Sequence, residues 1–318
     1  MNRTLKRITK ALLAAALVLC LGAGPALAAD INLGTAGAYS AFVLYDLDVR
    51  YNRTSGSYAV GGNANLKSYT IGYGAQSTDT TLVVGGNLKS NINPVATGYV
   101  EVGGKAKLPK WMDRSHVKEG VTNLPVDFAA EQQYLQDLSG TLSLLQETGT
   151  ADYKWGGVFL TGDGTGDLQV FDLSGDDLSD ATWWSNLSSV PSDAHILLNV
   201  SGKDITLTGG QEALYDWSDK VLFNFYEAER LAINNITVQG SILAPYADAL
   251  TSGAIINGQI IAKQIEGSFS TTGQQYSPYS GGGAAAPEPG TLVLLASALG
   301  GAAGFSRWRL VRRKARSS

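Results

Sequence analysis

The chain has 318 residues, 38 of them glycine, a mean hydropathy of −0.01 and one cysteine. All 28 Asp and Glu lie between residues 29 and 290, whereas ten of the 24 Lys and Arg lie outside it, so this stretch carries 14 bases against 28 acids, a net −14. That sign argues against nucleic acid as a partner, because phosphate neutralisation dominates such binding, and an acidic, glycine-rich composition suits an extracellular surface or matrix.

Taken in chain order, Arg3, Lys6, Arg7 and Lys10 precede the apolar run ALLAAALVLCL (11–21), and small residues follow at Ala26 and Ala28. A basic region, a short apolar region and a small-residue cleavage site predict a secretory signal helix over residues 1–28, read by the Sec export machinery and signal peptidase. The run is too short to span a bilayer core of about 30 Å. Cys20 falls inside it, and Leu19 stands where a lipoprotein signal needs a small residue. The exported part, residues 29–280, is therefore free of cysteine and must hold itself together by burying a core, for which its length suffices.

Paired glycines recur in AVGGNANL (59–66), VVGGNLKS (83–90) and EVGGKAKL (101–108), the last two pairs 18 residues apart; GSILA (240–244) and GQIIA (258–262) repeat that period. A period near 20 residues predicts one β-solenoid coil per repeat, with β-branched residues inside and glycine at corners where a side chain would clash. Between these blocks Phe128, Leu135, Leu138, Leu142 and Leu145 follow helical spacing. The expectation is one helix over about 125–147 packed along the solenoid flank, with Asp127 as N-cap and Gly149 as its stop. Strand-like runs GGVFLTG, LQVFDL, HILLNVSG, DITLTGG and VLFNFYEA follow. The predicted class is mainly β: a right-handed β-helix with one long flanking α-helix, plus the signal helix and a C-terminal hydrophobic helix.

A spacer of Gly and Ala (281–286) leads into Pro287, Glu288 and Pro289, then TLVLLASALGGAAGF (291–305), then Arg307, Arg309, Arg312, Arg313 and Lys314. The 15 apolar or small residues give about 22 Å of helix, slightly short of a bilayer core, and the basic cluster holds the extreme end in the cytoplasm. In its order of motif, helix and arginines, the segment 287–318 resembles the PEP-CTERM sorting signal of Gram-negative bacteria that export polysaccharide. The resemblance implies recognition by an exosortase, which would remove the helix. The precursor would be tethered to the inner membrane and the product would reach the periplasm, outer surface or extracellular matrix.

Residues 31–280 carry LGTAGAYSAFVLYDLDV, AVGGNANLKSYTIG, PVDFAAEQQYLQDLSG, HILLNVSG, VLFNFYEAERLAINNITVQGSILAPYA and GAIINGQIIAKQIEG in that order. This arrangement is similar to the choice-of-anchor A family of secreted bacterial surface proteins, and GSILAPYA and NGQIIA resemble adhesive and ice-binding solenoids more loosely. Surface display and adhesion are what the resemblance implies; it supplies no catalytic residues.

The chemistry-bearing residues are sparse. His116 and His195 stand about 80 positions apart, His116 reading as an exposed loop residue and His195 as a strand end, and no zinc-protease, nucleophile-elbow or phosphate-loop motif occurs. Asp163 and Asp167 alternate with glycine as calcium-binding turns do, although a solvated acidic turn accounts for the same pattern. Trp183 and Trp184 are candidates for stacking on sugar rings, the competing reading being that indoles seal the solenoid. The favoured function is a non-enzymatic, surface-displayed adhesion or matrix protein bound to exopolysaccharide or a neighbouring cell surface. Alternatives are a β-helix polysaccharide lyase or hydrolase pairing the aspartates with Arg230 or Lys263, and an ice-binding-like adhesin, for which Thr206 and Thr208 supply only one threonine pair.

Overall fold

The computed structural model describes residues 30–281. The signal segment with Ala26 and Ala28, nearly all of the spacer, and the tail with Pro287, Glu288, Pro289, Arg307, Arg309, Arg312, Arg313 and Lys314 lie outside the described residues. Among those described, no helix is long and apolar enough to cross a membrane. Ala29–Gly281 forms one compact unit.

Its core is a stack of parallel strands forming a solenoid. On the first side, here face A, Val117, Val100, Leu82, Tyr58, Ala41, Ile260, Ile242, Phe223, Leu198 and Phe171 lie in register across ten strands. All of them belong to or pack against the interior cluster, so each rung drops one apolar side chain onto the next. A second side, face B, repeats this with Ala106, Leu88, Ala64, Leu47, Ile265, Ala249, Leu231 and Ile205. Side chains alternate across a strand, so the intervening residues point outward.

The glycine pairs stand on successive rungs, as their spacing predicts. Gly85 N–H donates to Val60 O at 2.7 Å, and Gly104 N–H to Gly86 O at 2.8 Å. A Cβ on Gly85 would lie 2.2 Å from Gly61 O, and one on Gly103 2.3 Å from Gly85 O. The corner thus needs glycine because backbone stacks directly on backbone. The asparagines after these pairs extend the corner into a ladder: Asp46 Oδ1 accepts from Asn63 N–H (2.6 Å), Asn63 Oδ1 from Asn87 N–H (3.0 Å) and Asn87 Oδ1 from Lys105 N–H (2.9 Å).

Rung order departs from chain order. The chain enters at the middle of the stack, where Ala41–Val43 pairs with Ile260–Ala262 and Leu47–Val49 with Ile265–Gly267. It winds outward to Val117–Glu119, crosses by the helix, re-enters at the far end with Leu168–Ser174 and winds back to the seam. A buried hydroxyl network closes the seam: Thr54 Oγ1 lies 2.6 Å from Thr271 Oγ1 and 2.9 Å from Tyr58 OH, Tyr58 OH lies 3.1 Å from Tyr69 OH, and Tyr69 OH donates to Phe269 O at 2.8 Å. Every one of these hydroxyls is partnered, which is the condition for burying them without penalty. Asp30–Ile31 and Tyr279–Ser280 then pair antiparallel, so the described segment begins and ends side by side.

The flanking helix, α1 (Phe128–Leu142), is shorter than its predicted span. Asp127 caps it, its side chain accepting from Ala130 N–H at 3.1 Å. It stops before Gly149 because Leu144 and Leu145 N–H groups bond back three residues, to Thr141 O and Leu142 O, tightening the last turn. Gly149 instead seats the chain against the next strands: a Cβ there would lie 2.3 Å from the Phe171 ring and 2.6 Å from Thr161 O. Leu135 and Leu142 bury fully against Phe42, Ala59, Val83, Leu243 and Ile261, the outward row of face A, with Phe128, Leu138 and Leu145 at the margin. Face A is therefore apolar on both sides over its central rungs, and its outward row turns polar at Asn224, Asn199 and Asp172 toward one end and at Glu101 toward the other.

Candidate functional site

Two surfaces away from the helix carry distinctive side chains: an aromatic ledge beyond the Leu168–Ser174 end of the stack and the outer side of face B. The ledge is built on a hairpin. Thr150–Lys154 pairs antiparallel with Gly157–Thr161 through Trp155 and Gly156, both left-handed at φ 54° and 77°. Left-handed backbone at both central positions matches the right-handed strand twist, and Asn-Gly is the usual occupant. A tryptophan there stores strain.

Trp183–Trp184 pairs parallel with Gly157–Val158, and strand alternation sends the two indoles to opposite sides. Trp184 turns inward, 7% exposed and edge-on to Phe223 at 5.9 Å. Of the two readings, Trp184 fits the indole that seals the solenoid, because it shares the inward side with buried Val158, and Trp183 alone of the pair is placed for stacking on a sugar. Trp183 faces out at 40% exposure and lies over Gly157, where a Cβ would come within 2.5 Å of the ring. Phe159 stands edge-on between Trp183 (5.2 Å) and Trp155 (5.9 Å), and Trp155 is 86% exposed. Sequence reading singled out Trp183 and Trp184 among the tryptophans rather than Trp155, and missed Phe159. The signal was Trp-Gly between two strand-like runs, with Phe159 two residues beyond Gly157 on the same side of its strand. The exposed indoles of Trp155 and Trp183, propped on either side of Phe159 in edge-to-face contact, offer surfaces to the apolar faces of sugar rings, and clustered exposed apolar groups mark contact sites.

Face B is different in kind. Its outer row reads Thr206, Ala232, Leu250, Glu266, Asp48, Asn65, Lys89 and Lys107 across eight rungs. One threonine in eight positions gives no regular hydroxyl array. A shallow groove of about 390 Å³ runs over its centre, lined by Asp46, Asp48, Asp248, Glu266 and Arg230 among others.

The remaining sequence candidates fall in separate places. Asp163 spends its carboxylate locally, Oδ1 accepting from Thr165 N–H (2.8 Å) and Gln169 Nε2 (2.9 Å); the Gln169 bond first, then the Thr165 bond, holds this carboxyl below the ordinary range. Asp167 offers its carbonyl to His195 N–H. Among the described residues no three His, Cys, Asp or Glu gather to hold a metal. Arg230 faces Asp204 at 3.6 Å and Lys263 faces Asp248 at 3.0 Å, so neither is paired with the aspartates of 163–180. His195 opens its strand as expected, lies against Tyr276 and Tyr279, and has Nε2 at 3.0 Å from Ser277 O. Burial pushes its pKa down, partly offset by the Ser277 bond. His116, expected in an exposed loop, is half-buried beside the last rung of the opposite end, its carbonyl accepting from Val100 N–H at 2.9 Å.

Comparison with known proteins assigns a family. The family model described as "Putative Ice-binding-like adhesive domain" matches residues 32–275. No curated protein matches the chain. Among solved structures, the Shewanella frigidimarina ice-binding protein_1 DUF3494 domain aligns with 77% of this chain and 98% of its own at 13% identity and a TM-score of 0.38. An ice-binding protein from the Antarctic ascomycete Antarctomyces psychrotrophicus aligns with 78% of this chain and 100% of its own at 12% identity and a TM-score of 0.30. A glycosylated ice-binding protein from an Arctic yeast aligns with 80% and 96% at 12% identity and 0.38. The family assignment rests on the family model, which spans more than two thirds of the chain. The chain belongs to the ice-binding-like adhesive domain family.

Proposed function

We propose that this chain is an exported, surface-displayed adhesive protein that binds polysaccharide of the matrix or of a neighbouring cell through the Trp155–Phe159–Trp183 ledge. The exposed, strained Trp155 carries this reading: a bulky side chain is held out of the core at an energetic cost, packed edge to face with Phe159, which in turn packs on Trp183. Family membership supports adhesion rather than catalysis. Export would use the N-terminal signal with cleavage after Ala28. Retention and release would follow from the PEP-CTERM-like tail and an exosortase, on a right-handed coil of the choice-of-anchor A type.

The test is retention on a column of the host's own exopolysaccharide. Trp155→Ala combined with Trp183→Ala abolishes retention with an unchanged melt; equal retention sinks the reading. Mass spectrometry of the mature protein checks the tail separately, since a terminus near Pro287 supports sorting and an intact Ser318 overturns it. Ice contact is the second reading, favoured by the family description. The single threonine in the outer row of face B weighs against it, and thermal hysteresis decides.

A further inference from the structure

The net −14 of residues 29–290 conceals a separation of charge along the stack. Residues 41–119, the rungs on one side of the seam, carry nine Lys and Arg against six Asp and Glu; residues 150–270, which hold the rungs on the other side, carry five against sixteen. On face B the first group converges on a groove of about 380 Å³ lined by Lys67, Lys89, Lys107, Asn91 and Trp111. Lys89 and Lys107 are direct in-register neighbours on adjacent rungs. Adjacent strands lie about 4.8 Å apart, and like charges placed opposite each other repel. Lys67 is neutralised by Asp48 at 3.1 Å, but among the described residues no carboxylate lies within ion-pairing distance of Lys89 or Lys107. Trp111, 73% exposed, presents an indole at the end of the same groove.

We infer that this groove binds an acidic polysaccharide, one bearing a carboxylate on its sugar units, with Lys89 and Lys107 meeting successive carboxylates and Trp111 stacking on a ring. The charge is supplied by lysine alone, which recognises an anion as a point charge without the bidentate fit that arginine gives. A carboxylated glycan, with one charge per sugar, suits this sparse ladder and the acidic remainder of the domain. Nucleic acid suits it less: single-strand binders align several aromatics under successive bases, and this groove has one. The site lies on the opposite side of the seam from the aromatic ledge. It deepens the adhesive reading by naming a second ligand class, and rests on that reading only for its biological setting.

The experiment measures binding of an oligogalacturonate to the purified full-length protein by calorimetry at low salt, beside a neutral glucan oligomer and single-stranded DNA of matched length. Wild type binds the oligogalacturonate preferentially, and binding weakens as salt screens the exposed charges. Lys89→Gln with Lys107→Gln weakens it about tenfold, the scale of two exposed charge contacts, and Trp111→Ala weakens it several-fold. Both melt like wild type. Absence of oligogalacturonate binding, equal binding by the lysine variant, or tighter binding of the DNA overturns the inference. So does a lysine variant that binds normally but self-associates, because the lysines would then serve only to keep the edge strand unpaired. The adhesive reading is scored independently, by column retention of the Trp155 and Trp183 variant.

Discussion

Asn224 offers a demanding test of how the helix is fixed to the solenoid. It is fully buried on the outward row of face A, accepts from Ser139 Oγ (2.6 Å), and donates from Nδ2 to Ser139 O (3.0 Å) and Asn199 Oδ1 (2.9 Å). Asn199 in turn donates to Leu142 O at 3.0 Å, so two adjacent rungs grip the last turns of α1. In Asn224→Ala, Ser139 O keeps its bond from Ser143 N–H, but Asn199 Oδ1 loses its partner within the protein. Three lost bonds at about 1 kcal/mol each, partly regained by Ser139 and aggravated by one buried orphan acceptor, come to about 3 kcal/mol. For a domain of about 250 residues, with an unfolding entropy near 2 cal/mol/K per residue, that lowers Tm by about 6 °C. Differential scanning calorimetry of Asn224→Ala, Asn199→Ala and the double variant measures both the loss and the coupling. A Tm within about 1 °C of wild type, or losses that simply add, would refute a shared clamp.

Three further outcomes follow from the same geometry. Trp184→Ala costs about 3–5 kcal/mol as a core truncation, whereas Trp155→Ala leaves the denaturation midpoint unchanged and removes polysaccharide retention; urea melts beside column assays separate them. Gly85→Ala forces backbone apart at the corner and destabilises by about 1–3 kcal/mol. Gly140→Ala has open space for its methyl group within α1 and stabilises by up to about 1 kcal/mol; the same melts give both signs. His195 has a folded pKa below its ordinary 6.5 because burial disfavours its charged form. The unfolded chain therefore binds the proton first, and stability declines as pH falls below about 6.5 and on through the folded pKa. Tm measured from pH 7.5 to 5 falls more steeply in wild type than in His195→Gln, and parallel curves would contradict this.

Much of this architecture is written locally. Glycine pairs 18 and 24 residues apart mark rungs because a corner where backbone stacks on backbone excludes a Cβ, and Asn63 and Asn87, each just after such a pair, carry the ladder. Asp127 announces the start of α1, and the leucine spacing its buried face, because capping and amphipathicity involve neighbours three and four residues apart. The end of the helix was less legible: Gly149 has the composition of a stop signal but serves the packing of Phe171.

What the amino-acid order determined by itself was the rung and the helix, both of which depend on residues close together along the chain. Only the tertiary structure decided that the first and last coils meet at a seam, where Thr54 and Thr271 bond across 217 positions. It also decided which of two adjacent tryptophans enters the core, and that an acidic domain has one basic end. Those outcomes depend on which strand lies beside which, and parallel strands with similar apolar faces can be stacked in many orders until long-range packing selects one.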